Sequence, residues 1–287
     1  MDLIKQLVKE GFEKQAKILE KYVLNSIWIT TKPSGEAKFK LGESKIGGCP
    51  HLPPDFQWPK WSGKPLAFLA QFNLERVSPY DAQGLLPPSG MLYFFHEGGN
   101  DVWGFDPKDK DGFRAIYYPG SVSGLRVAPL PDSLEKDGIF FGPCKLTFEK
   151  TKSYPLGEYF GTLGEQVSFE SKKTRDAFDD IVFQYYEESK GPNHKLFGYP
   201  DLIQGEIFLE AQLVSSGLYC GDASGYRDPR AKELEKGVKD WMLLFQIDTD
   251  DNADMMWGDA GTVYYIIKKE DLRNRNFDAA WSAFQCY

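Results

Sequence analysis

The chain has 287 residues, 41% of them hydrophobic and 26% charged, with a formal net charge of −8. Such a length buries a sizeable core as one large domain or two small ones, and the composition is that of an ordinary globular protein. The acidic balance argues against a nucleic-acid partner, which needs clustered basic surface, and no apolar run is long enough for a membrane span.

In chain order, Leu3, Leu7, Val8, Phe12, Ala16, Leu19 and Val23 recur at helical spacing, predicting a helix over 2–24 that Gly11 kinks or splits. The leading segment MDLIKQLVKEGFEKQ carries charges throughout and has no apolar signal-peptide core, so export is not expected and a cytoplasmic location is. SIWITT (26–31) has the β-branched content of a strand. From Gly42 to Pro65, Pro50, Pro53, Pro54, Pro59 and Pro65 remove backbone donors, predicting an ordered loop that Trp58 and Trp61 pin to the body. Strands are expected at 66–74, 90–95, 113–118 and 138–149. A helix over about 168–189 presents Phe178, Ile181, Val182 and Tyr185 as its apolar stripe and ends at Gly191-Pro192. The stretch from Ile207 is a strand or helix followed by a polar excursion, and a last helix is predicted from Asp271 to Phe284.

The sequence also repeats itself. KIGGCPHL (45–52) is echoed by KLFGYPDL (195–202), PLAFLAQFNL (65–74) by WMLLFQIDT (241–249), and GMLYFF (90–95) by GTVYYI (261–266). Three elements in one order predict an internal duplication. Hairpin-length connections outnumber helical crossovers, so the expected fold is α+β: mostly antiparallel, two pseudo-equivalent helix-plus-sheet halves, and peripheral helices. No linker-like run separates the halves, near 1–150 and 151–287, which predicts a single compact domain.

Candidate chemistry follows the repeat. Gln71 and Gln246 sit within apolar strands, where an unpartnered amide costs about 1–3 kcal/mol. They either tie down the irregular backbone of their own Gly-x-Pro loops or line a shared cleft. Gly47, Gly48 and Gly198 suit turns of positive φ better than an anion cradle. Lys45 and Lys195 precede them and form structural ion pairs or meet a ligand anion. In DTDDNADMMWGDAG (248–261), Asp248, Asp250, Asn252, Asp254 and Asp259 fall where a calcium loop places its oxygens. Ala253 stands where that loop needs glycine, and Asp259 replaces its glutamate, so an acidic hairpin loop is the competing reading. The histidines (His51, His96, His194) and the scattered cysteines (Cys49, Cys144, Cys220, Cys286) form no zinc, disulfide or nucleophile signature.

The segments SKIGGCPHLP (44–53), Trp58-Pro59, PLAFLAQFNL (65–74), LPPSGMLYFF (86–95), LFGYPDLIQ (196–204), LLFQIDTD (243–250) and WGDAGTVYYII (257–267) resemble the YwqG-like family. That resemblance implies a compact cytosolic bacterial protein and brings no activity, substrate or catalytic residue. The residues point first to a non-enzymatic module that binds a small polar ligand or a protein. Its expected site is a cleft between the halves, lined by Lys45, Trp58, Gln71, Lys195, Gln246 and Asp259. The alternative is a carboxylate- or metal-dependent hydrolase or transferase using the 248–259 segment. The sequence does not decide between binder and enzyme, and calcium is the one cofactor it suggests.

Overall fold

The computed structural model describes residues 2–99, 101–155, 168–187 and 191–287. The N-terminal helical segment is two helices, α1 (Leu3–Lys9) and α2 (Glu13–Lys21). They break at Gly11 (φ 87°), where Gly11 N donates to Val8 O and Phe12 N to Leu7 O, the paired bonds of a left-handed helix cap. Phe12 then packs on Phe178 (5.5 Å) of a third long helix, Lys172–Glu187, building a small peripheral core with Leu3, Leu7, Ala16 and Leu19. Residues 188–189, the end of the predicted helix, lie outside the described residues.

The body is a ten-stranded antiparallel sheet of order β14-β13-β12-β11-β1-β10-β2-β6-β7-β8. Its strands are β1 (Leu24–Pro33), β2 (Lys45–Ile46), β6 (Ala67–Asn73), β7 (Met91–His96), β8 (Phe113–Tyr118), β10 (Cys144–Ser153), β11 (His194–Leu196), β12 (Trp241–Asp248), β13 (Thr262–Lys268) and β14 (Trp281–Gln285). Two-residue pairs complete the set: β3 (His51–Leu52) with β9 (Arg126–Val127), and β4 (Lys60–Trp61) with β5 (Lys64–Pro65). The central pair β1·β10 runs from Leu24↔Ser153 to Pro33↔Cys144. From it one wing leaves through β2 and the other through β11, so β1 borders the C-terminal wing and β10 the N-terminal one.

The wings run in matching register. Gln71 pairs with Lys45 and Tyr93, and Gln246 with Lys195 and Tyr264. Each glutamine strand carries one irregularity at the same distance before its glutamine, between Phe68 and Ala70 and between Leu243 and Phe245. Curling brings the wings face to face and the sheet close to a barrel. Phe245 lies 5.1 Å from Phe72 and 4.6 Å from Phe94, Phe94 lies 4.8 Å from Tyr265, and Tyr265 OH donates to Phe95 O. Each such buried aromatic contributes about 1.5–3 kcal/mol. Phe72, Phe94, Phe245 and Tyr265 thus pack together between the wings.

Two predicted elements are corrected. The strand expected at 138–149 starts at Cys144, because Gly142 bonds across to Ala253 O and Pro143 has no N–H to give a ladder. It runs on to Ser153. The helix expected over Asp271–Phe284 is one short turn, Lys269–Arg273. Arg275 then takes a positive φ (58°) and Trp281–Gln285 pairs with β13. All five residues of that strand are buried, and ladder pairing overrides the helical spacing.

Candidate functional site

The two Gly-x-Pro loops are held by corresponding bonds. Gln71 Oε1 accepts from His51 N (2.7 Å) while its Nε2 donates to Glu43 O (2.7 Å). Gln246 Oε1 accepts from Asp201 N (2.9 Å) while its Nε2 donates to Asn193 O (2.8 Å). Above each, a tyrosine hydroxyl donates into the same loop, Tyr93 to His51 O (2.7 Å) and Tyr264 to Asp201 O (2.5 Å). Loop carbonyls and amides without ladder partners are thus paired inside the protein. The lysines that precede the loops are buried, Lys45 at 0% exposure and Lys195 at 4%. Lys45 Nζ bonds Glu36 Oε1 and Cys49 O, whereas Lys195 Nζ bonds Asp201 Oδ2 at 2.6 Å. Burial lowers the Lys45 pKa, with Glu36 opposing that shift. Trp58 lies apart from these groups, its Nε1 donating to Leu66 O (2.9 Å), and Asp259 is exposed on the surface.

Two carboxylates of the acidic segment are bonded inside the protein. Asp248 accepts from Asn193 N, Thr249 N and Thr262 Oγ1. Asp250 accepts from Thr31 Oγ1 (2.6 Å), Asn252 N and His194 Nε2 (3.1 Å). Asp254 takes a positive φ of 48°. Among the described residues, no three His, Cys, Asp or Glu side chains stand close enough to share a metal ion. The loop is docked by Trp257, 1% exposed against Phe141 and His96, with Ala253 and Met255 buried beside it in the chain.

Thr31, Asp250 and His194 form a chain with the look of a proton relay. Asp248 N donates to His194 Nδ1, so Nε2 carries the proton that meets Asp250. Burial opposes ionisation of Asp250, but the bonds from His194, Thr31 and Asn252 outweigh it and hold its pKa below the usual carboxylate range. His194 and Asp250 are buried, at most 2% exposed. Beside them, burial first and then Asp250 and Asp254 push the Cys144 thiol up to about 11.

A cavity of about 310 Å³ opens elsewhere, under the proline-rich loop. One wall is the β4–β5 hairpin, with Ser62 and Gly63 at positive φ (48° and 81°) as in a tight two-residue turn, presenting Trp61 and Lys64. Trp58 fixes the base of this hairpin through Leu66 O and stands 5.5 Å from Phe95. A second wall is the loop after β7. There Glu97 N donates to Gly112 O, and Glu97 Oε2 accepts from Gly99 N (2.9 Å) and Asp101 N (3.4 Å). The third is a short helix, α3 (Asp132–Asp137), with Leu134 and Asp137 facing the space beside Ile139. Burial raises the Glu97 carboxyl pKa against those amide bonds. The sequence expectation did not include Glu97, Asp101 or Asp137. The available signals were Ser62-Gly63 between Trp61 and Lys64, and the Gly98-Gly99 pair after a strand-terminal acid.

A family model for a domain of unknown function, DUF1963, matches residues 44–286. The chain belongs to this family. The matched region takes in both Gly-x-Pro loops, the whole hairpin cavity and the acidic segment, and excludes the two N-terminal helices and β1. No curated protein matches the chain. Among the described residues, no helix is long and apolar enough to cross a membrane.

Proposed function

We propose that this DUF1963 protein is a non-enzymatic ligand-binding module whose ligand occupies the cavity between the Trp61 hairpin, the Glu97 loop and α3. One observation carries this reading: a 310 Å³ concavity in which an aromatic ring, apolar side chains and carboxylates meet. Small-molecule sites combine these features in volumes from about 300 Å³ upward. Lys45, Gln71, Lys195 and Gln246 serve instead as braces, which their internal bonds support. The net charge of −8 favours a small ligand or a protein over nucleic acid.

The scaffold is, on this reading, an internal duplication in one domain, with halves near 1–150 and 151–287. Matching registers, equally placed irregularities and three pairs of corresponding hydrogen bonds support it. The halves meet where β1 pairs with β11, while β10 spans their boundary and pairs with both β1 and β2. Within the family, SKIGGCPHLP (44–53), LFGYPDLIQ (196–204) and WGDAGTVYYII (257–267) support a YwqG-like, bacterial and cytoplasmic protein.

Ligand screening by thermal shift and saturation-transfer NMR, run on the full chain and on Ser133→Trp, tests the site. Ser133 lines the cavity, so an indole there occupies the space. Compounds that bind the native chain and lose affinity for the variant are expected. Equal binding to both would place the ligand elsewhere and overturn the proposal.

A further inference from the structure

Resting on that reading, we infer that the ligand is an organic cation, an ammonium group carried on an apolar body of about the size of an aromatic ring. Three carboxylates, Glu97, Asp101 and Asp137, line the cavity against one ammonium, Lys64. Glu97 is the one held in place. Two backbone amides, those of Gly99 and Asp101, fix its Oε2. Burial raises its carboxyl pKa, while the two amide bonds and the Lys64 charge oppose that shift, as a further cation beside it would. Trp61 supplies the aromatic surface that attracts a cation, a contact stronger for indole than for other rings. Leu66, Leu134 and Ile139 offer the apolar body somewhere to lie. An anion of the same shape would meet the three carboxylates with only Lys64 in its favour.

The test is titration calorimetry of the full chain with three probes of one shape: phenethylammonium, 2-phenylethanol and phenylacetate. The ammonium is expected to bind about ten-fold or more tightly than the alcohol, with no measurable binding of phenylacetate. Glu97→Gln keeps an oxygen for the Gly99 and Asp101 amides. It is expected to weaken the ammonium about ten-fold while leaving the alcohol unchanged. Asp137→Asn, at an exposed helix end, is a second variant whose fold is not at risk, and it weakens the ammonium to a smaller degree. The alcohol or phenylacetate binding as tightly as the ammonium, or indifference of the ammonium to both variants, overturns the cationic class. So does failure of all three probes. In those cases the cavity reading stands or falls separately, on whether screened compounds discriminate Ser133→Trp from the native chain.

Discussion

The loops at 46–52 and 196–202 are gripped by the same kinds of atoms at corresponding positions, yet their surroundings diverge. Lys45 finds its carboxylate outside its loop, on Glu36, whereas Lys195 finds it inside, on Asp201, which also takes a bond from Gln246 Nε2. Gly47 and Phe197 share a positive φ, 65° and 63°, but a Cβ on Gly47 would stand 2.2 Å from Gly142 O while Phe197 buries a whole ring. Between loop and glutamine strand, the first wing places the Trp61 hairpin over an open cavity. The second places a helix, Ile207–Val214, whose Gln212 accepts from Trp241 Nε1. What the wings share is bracing; what they do not share is the element that follows the loop, a hairpin in one and a helix in the other.

The largest expected effects break the bracing. Gln71→Leu strands the His51 amide and the Glu43 carbonyl, and Gln246→Leu strands those of Asp201 and Asn193. Each substitution is expected to cost about 2–5 kcal/mol in urea unfolding. A loss below about 1 kcal/mol for either would mean that the loops are not held alike. Next, Gly47→Ala is expected to cost about 2–3 kcal/mol, from backbone collision and left-handed strain. Phe197, at the same φ, shows that the second loop has no such carbonyl in the way.

Much of this bracing could be read from residues alone, because a glutamine inside FLAQF or LLFQI must find partners and the nearest unpaired backbone is its own loop. The strands around those glutamines, the split at Gly11 and the β-branched SIWITT were legible for similar local reasons. Trp281–Gln285 was not, because helical spacing and a fully buried edge strand look alike over five residues, and only the partner β13 decides. The cavity was invisible for a different reason. Trp61, Glu97 and Asp137 come from three separate connections, and nothing local in any of them announces the other two. The charge pattern points to Asp259, which is exposed, while Asp250, Ala253, Met255 and Trp257 of the same loop are buried.

Smaller effects sharpen the contrast. Asp250 titrates below its unfolded value, so its contribution is present above the unfolded carboxylate pKa of about 4 and is lost as pH falls through the folded one. Urea midpoints followed from about pH 7 to about pH 3 are expected to drop less steeply in Asp250→Asn than in the native chain. Tyr93→Phe and Tyr264→Phe each remove one neutral hydrogen bond and are expected to cost about 1 kcal/mol, equally within error. Ser133→Trp is expected to shift stability by about 0.5 kcal/mol or less, because it fills space the fold does not use.

Amide and indole N–H chemical shifts, followed while phenethylammonium is titrated into the full chain, put bracing and binding side by side. Movement is expected at the Trp61 indole, Gly63, Gly98, Gly99 and Leu134, with Gly48 and Gly198 unmoved. Shifts at Gly48 and Gly198 with the Trp61 signals still would contradict the division of the molecule into braced loops and a binding hairpin.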